Sequence, residues 1–115
     1  MCDKNEALGI LGTVYDECSK VMPISDAYLY GSYARGDFDS ESDVDIILVS
    51  PLSRDRIWPI RRQVSKIANE ISTRHDVSVS VCIRSKDQFL PQTVPYYRNV
   101  IREGIRYPQA QGETP

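Results

Sequence analysis

Apolar residues recur at steps of three and four early in the chain: Leu8, Leu11, Tyr15, Cys18 and Met22. That period lines one face of a helix and predicts one over residues 5–22, stopped by Pro23. Ala27-Tyr28-Leu29-Tyr30 is short, apolar and aromatic and runs into Gly31, the pattern of a buried strand closed by a tight turn. Residues 32–42 are small, polar and charged and read as a loop. Asp43 to Val49 reads as a second strand, closed by Ser50-Pro51. Ile57, Ile60, Val64, Ile67, Ala68 and Ile71 again step by three and four, which predicts a second helix capped by Ser53, with Pro59 in its tolerant early turns. From His75 to Ile83 the period becomes two. Val77, Val79, Val81 and Ile83 lie on one side, and Asp76, Ser78, Ser80 and Cys82 on the other, as in a strand. Val94 to Arg102 is a short helix with Gly104 as its stop.

The order α, β, β, α, β and then small helices predicts an α/β (α+β) domain with a mixed sheet and helices on one face. Its 115 residues suit one domain. That domain is expected over 1–107, with 108–115 as a flexible tail. Composition adds exclusions. Apolar residues make up 41% and charged residues 26%, an ordinary globular balance. No stretch approaches the ~20 apolar residues of a membrane span, and the first residues lack the order of a signal peptide. Three cysteines far apart in sequence with no C-x-x-C pair, and one histidine, do not form the pattern of a structural zinc site. Free thiols without an export signal point to the cytoplasm, with Cys18 and Cys82 as small core residues. A net charge of −2 disfavours a protein built mainly to neutralise nucleic-acid phosphates.

The chemistry concentrates between Gly31 and Asp45. Asp43 and Asp45 are two apart on a strand, so their side chains share a face, with Cα atoms ~6.5–7 Å apart. Aspartate is depleted in strands, and like charges on one face repel. A cost of that kind is expected at a functional site. A divalent cation offsets it, and all-oxygen ligands suit Mg²⁺ or Mn²⁺ better than zinc. Upstream, Gly31 follows a strand directly and lets a phosphate approach the backbone. Ser32 adds a hydroxyl, and Arg35 a guanidinium suited to phosphate oxygens. A phosphate grip followed by a metal grip is what phosphoryl-type chemistry requires.

Gly31-Ser32, a loop of ten residues and then Asp43-Val44-Asp45 resemble the signature of the DNA polymerase β-like nucleotidyltransferase superfamily. The fuller string Gly31-Ser32-Tyr33-Ala34-Arg35-Gly36, with Ser42-Asp43-Val44-Asp45-Ile46, resembles its minimal nucleotidyltransferases, which pair with helical HEPN proteins as toxin–antitoxin couples. The resemblance spans residues ~5 to 107. It implies the nucleotidyltransferase palm and Mg²⁺- or Mn²⁺-dependent transfer of a nucleoside monophosphate. The donor would be an NTP, with ATP expected, and the acceptor a hydroxyl on a partner protein. Gly31 and Ser32 would hold the triphosphate, Arg35 would lie near it, and Asp43 and Asp45 would bind the metals. In that family a third carboxylate on a later strand shares a metal. Asp76 is the carboxylate available on strand 75–83; Ser78 and Ser80 are the other candidates for its place.

A serine there would point to the alternative function, a catalytically weak nucleotide- and metal-binding antitoxin or regulatory subunit acting by contact. Arg54, Arg56, Arg61, Arg62, Lys66 and Arg74 flank the second helix around Trp58. They read as a solvated helix face or as a surface for a partner or nucleic acid, and the acidic balance favours the former. Tyr33 stacks on a base or shields the strand end. So small a palm leaves its cleft open, which predicts a working unit with a second copy or a helical partner. Trp58 and the segment Pro95 to Ile105 are the candidate contacts.

Overall fold

The Asp3 side chain accepts the Glu6 N–H at 2.8 Å and so caps α1, Lys4–Cys18. The computed structural model describes residues 2–90 and 93–107, so the tail expected at 108–115 lies outside the described residues. α1 stops short of the expected Met22 because the Val21 and Met22 amides both turn back to the Cys18 carbonyl at 3.0 Å. Its buried stripe is Ala7, Ile10, Leu11, Val14 and Cys18. Leu8 and Tyr15, expected at its centre, lie on its flank, half-buried.

The strands are β1 (Asp26–Tyr30), β2 (Val44–Ser50), β3 (Val79–Ser85) and β4 (Ile105–Tyr107), in the sheet order β3-β2-β1-β4. β1 runs antiparallel to both β2 and β4, and β2 runs parallel to β3. The sheet is therefore mixed, as the element order predicts. The parallel step needs a long crossover. It is supplied by α3 (Arg54–Ile57), a 3₁₀ turn at Trp58–Ile60 and α4 (Arg61–His75). The second helix is thus interrupted at Pro59, which has no N–H to continue the ladder.

Side-chain alternation divides the core. Val44, Ile46 and Leu48, with Ala27 and Leu29 from β1, pack under α1 and α4. Tyr28, Ile47 and Val49 point the other way and pack with Phe89 and Val100. Val100 belongs to α5, Pro95–Glu103. The two long helices share one face as expected, and the short α5 covers part of the other. A short helix, α2, spans Ser32–Arg35 in the segment that reads as loop. β4 is not signalled by its sequence; it is held by pairing with Ala27 to Leu29 and by an edge-on contact of Tyr107 with Tyr15, centroids 5.2 Å apart. Among the described residues, no helix is long and apolar enough to cross a membrane.

Gly104 ends α5 as expected, but in extended backbone rather than a left-handed turn. Its absent side chain matters because a Cβ would overlap the Val100 carbonyl oxygen and lie 2.9 Å from that of Leu29. Gly104→Ala should lower stability by about 1–3 kcal/mol, the usual cost of overpacking, read as a lower urea midpoint. An unchanged midpoint would show that the α5–β4 corner is not packed in this way.

Candidate active site

β1 delivers the chain into Gly31, whose φ of 79° lies in the region that favours glycine. Tyr30 at the end of β1 pairs with Asp45 on β2, so the turn and the carboxylate meet at one end of the sheet. A Cβ on Gly31 would stand 2.6 Å from Asp45 Oδ2. Gly31 is therefore required twice, by its backbone and by the carboxylate against it. The chain then turns into α2 through hydrogen bonds from the Ala34 and Arg35 amides to the Gly31 carbonyl, each 3.1 Å.

Asp43 is exposed and Asp45 half-buried. Burial pushes the Asp45 carboxyl above the ordinary aspartate range, the charge of Asp43 pushes it further, and Arg35 pulls it back. Asp43 and Arg35 thus act on Asp45 in opposite directions. Arg35 also meets Asp37, Nε to Oδ2 3.3 Å, in the open. Asp43 is presented by a self-bonded turn. Asp39 Oδ1 accepts the Glu41 N–H at 2.9 Å and the Ser42 hydroxyl at 3.2 Å, and the Asp39 N–H donates to Ser42 Oγ at 2.9 Å.

Tyr33 is core, not a platform for a base. It is 1% exposed, stacks on Phe38 at 4.4 Å and donates its hydroxyl to the Cys2 carbonyl at 3.2 Å. Burial pushes that hydroxyl up to about 12.

Gly31, Ser32, Arg35, Asp43 and Asp45 therefore gather at one end of β1 and β2. Asp76 is placed differently. The strand expected from 75 begins at Val79. His75 is the last residue of α4, held at 3.2 Å by Glu6. Asp76 is the left-handed cap of that helix, at φ 54°. The Val77 amide reaches back to the Ser72 carbonyl at 3.2 Å, closing the helix end. Among the described residues, no three His, Cys, Asp or Glu side chains are grouped to hold a metal. Asp43 and Asp76 do border one open depression of about 520 Å³, together with Glu41 and Ser78. In the strand register, Ser80 stands beside Asp45, on the face that carries Tyr30 and Cys82.

The register also reveals neighbours that the sequence reading passed over. Tyr30, next to Asp45, meets Tyr96 of α5 edge-on, with centroids 6.2 Å apart. Burial and then the Tyr96 hydroxyl hold the Tyr30 hydroxyl well above its usual range. Tyr30 sat in a predicted strand adjoining the glycine turn, and that adjacency was the available signal.

A small mixed sheet thus sets a glycine–serine turn at the end of one strand against the two aspartates at the start of the next. Residues 13–107 match the nucleotidyltransferase domain family, and the chain belongs to it. Two Methanocaldococcus jannaschii proteins are similar in sequence. The one named “Putative protein adenylyltransferase MJ0141” is 38% identical over 61 residues, 50% of this chain and 57% of its own length. “Putative protein adenylyltransferase MJ0604” is 31% identical over 77 residues, 66% of this chain and 70% of its own. The chain thus spans little more than half of the first. Among solved structures, a “putative nucleotidyltransferase” from Sulfolobus solfataricus superposes with a TM-score of 0.63 at 16% identity, covering 94% of this chain and 85% of that one. A toxin–antitoxin structure with AMP-PNP superposes at 0.57 and 16% identity, covering 91% and 75%. These place the fold as the polymerase β-like nucleotidyltransferase palm.

Two outcomes follow from the geometry. A raised aspartate pKa means that the folded state holds the Asp45 proton more tightly than the unfolded chain. Stability is then lost as pH rises from the ordinary aspartate value through the folded one, and the full cost is present above it. Asp45→Asn should therefore be at least as stable as the parent at pH 7. That advantage should vanish at a pH below the ordinary aspartate value, as read by urea denaturation without divalent metal. A variant less stable at pH 7 would refute the repulsion. Gly31→Ala should lose stability with or without nucleotide, because at φ 79° and ψ −155° a residue with a side chain is strained by ~1–3 kcal/mol before the displaced carboxylate is counted. Thermal melting of the ligand-free variant checks this.

Proposed function

We propose that this chain is a metal-dependent nucleotidyltransferase that moves a nucleoside monophosphate, with ATP as the expected donor, to a hydroxyl on a partner protein. One observation carries the reading. The Asp45 carboxylate is pressed against the Gly31 turn while Asp43 adds a second charge to the same end of the sheet. Arg35 offsets only part of that cost, and a bound cation would offset the rest. The donor set fits Mg²⁺, which is commonly held by one or two carboxylates with substrate phosphates and water completing its shell. Asp43 and Asp45 would hold it. When bound, it neutralises charge on the transferring and leaving phosphates.

The chain's own groups do the rest. The Gly31-Ser32 turn offers backbone and a hydroxyl to the triphosphate, and Arg35 adds a positive charge beside it. The acceptor oxygen attacks the α-phosphorus, the bond to the bridging oxygen breaks, and pyrophosphate leaves. The hydroxyl proton passes to water at the open edge, where exposed Ser80 rather than a carboxylate stands beside Asp45. A protein acceptor is supported by the names of the two archaeal relatives. A partner chain is supported by the toxin–antitoxin fold neighbours. A helical protein of the HEPN kind, or a second copy of the chain, is the partner this reading expects.

The placement of Asp76 in a helix cap and of Ser80 beside Asp45 favours one second reading. The chain would then bind nucleotide and metal but block its partner mainly by contact.

With α-labelled ATP, Mg²⁺ and the co-purified partner, label should enter the partner and pyrophosphate should be released. Asp43→Asn and Asp45→Asn should each lower transfer by about 10²-fold or more, while Asp76→Gly should retain metal-dependent ATP binding. Stoichiometric ATP binding with no label transferred would favour the contact reading. Unchanged ATP and Mg²⁺ affinity in Asp45→Asn, measured by calorimetry, would overturn the site.

A further inference from the structure

Away from the carboxylates, at the far end of edge strand β3, lies a cleft of about 300 Å³ whose chemistry the transfer reaction does not use. Arg54 and Ile57 of α3, Trp58 and Arg61 line one side, and Arg84 and Gln88 the other. Arg84 is four residues beyond Ser80, the neighbour of Asp45, so the cleft starts roughly 13 Å along the strand from the metal grip.

Its composition is unlike that of the rest of the protein. The chain carries a net charge of −2, yet three arginines converge here. Among the described residues, none of the three has a carboxylate within ion-pair distance. Trp58 is 71% exposed although its neighbour Ile57 is buried, so it contributes little to the core. A large aromatic left in water beside a cavity is the informative kind of exposure. The Arg61 guanidinium lies 5.2 Å from the Trp58 ring centre, a cation–π pair that steadies the indole. Arg84 is set before any ligand arrives: its Nε donates to the Tyr97 hydroxyl and its Nη1 to the Ile83 carbonyl, both at 2.9 Å.

A flat, exposed indole and a converging set of guanidinium groups fit a ligand with a planar ring at one end and phosphate at the other. The volume sits at the lower bound of ~300–1,000 Å³ for small-molecule sites. It admits one nucleotide rather than a duplex, which also suits a chain whose overall charge repels long polyanions. We infer that this cleft is a second nucleoside-phosphate site, taking a mononucleotide or the terminal nucleotide of a single strand, with the base on Trp58 and the phosphate on Arg54 and Arg84.

Trp58 is the only tryptophan in the chain, so its emission reports on this cleft. The full chain is titrated in EDTA with AMP, adenosine, inorganic phosphate, a 5′-phosphorylated RNA tetramer and an acidic tetrapeptide. AMP or the tetramer should change the emission saturably, with adenosine and inorganic phosphate each at least tenfold weaker. The tighter of AMP and tetramer identifies the source. Arg54→Ala and Arg84→Ala should each weaken binding about tenfold, and Asp43→Asn should leave it unchanged, separating this site from the proposed transfer site. Because Trp58→Ala removes the reporter, its loss of binding is read by anisotropy of a labelled tetramer. The inference is overturned if no phosphate-bearing probe saturates, if adenosine binds as well as AMP, if both arginine variants bind as the parent does, or if only the acidic peptide binds.

Discussion

The approach of the Asp45 carboxylate to the backbone of Gly31 is the constraint on which this end of the molecule depends. It holds only if β1 and β2 keep the register that pairs Tyr30 with Asp45, because a slip of one residue would turn the carboxylate into the helical side of the sheet. It also requires that the residue after β1 have no side chain and accept a positive φ. Strand pairing, the turn and α2 are therefore one arrangement. Its result is a carboxylate taken partly out of water and placed near a second one.

The rest of the sheet makes such a local cost tolerable. The face under α1 and α4 is fully occupied: Val44, Ile46 and Leu48 are each 0% exposed. The opposite face is divided along its length. Ile47 and Val49 are covered by Phe89 and α5, whereas Asp45 and Ser80, nearer the start of their strands, keep contact with solvent. β2 is thus a core strand at one end and the rim of a cleft at the other. The polarity of its sequence, from Asp43 to Val49, reports that gradient directly.

Legibility followed from how local each signal was. The closeness of the glycine turn to the aspartates was readable because a glycine directly after a short aromatic strand marks a tight turn, and because Asp43 and Asp45 open the next apolar run, with Asp43 lying just before β2. Asp76 was not readable in the same way. The alternation of Val77, Val79, Val81 and Ile83 runs unbroken across the end of α4 and the start of β3, since Val77 packs on the core from the bend after the cap. An aspartate closing a helix in the left-handed region and one opening a strand give the same string. β4 has three residues and no pattern of its own; β1 and the contact of Tyr107 with α1 place it. The position of α5 on the second face depends on where Tyr97 and Val100 find Phe89 and Ile47, a tertiary choice invisible to periodicity. The break at Trp58–Ile60 was hidden because the apolar spacing continues through Pro59.

The position of β4 has a consequence for how the chain acquires its shape. β1 meets β2 across the single segment 31–43 that holds α2, but its other edge waits for β4; Arg106 reaches Asp26 across 80 residues of sequence, at 2.8 Å. Such non-local pairing is slow and comes late. During synthesis the chain emerges from its N-terminal end, so from its own synthesis until β4 follows, β1 is an open edge bearing unpaired backbone groups. Tyr28 and Tyr30 sit on that edge, and nothing described closes it until Ile105 to Tyr107 arrive. Newly made protein therefore passes through an interval in which its first strand is free to pair with another chain, and whatever occupies that edge first decides whether the molecule matures or aggregates.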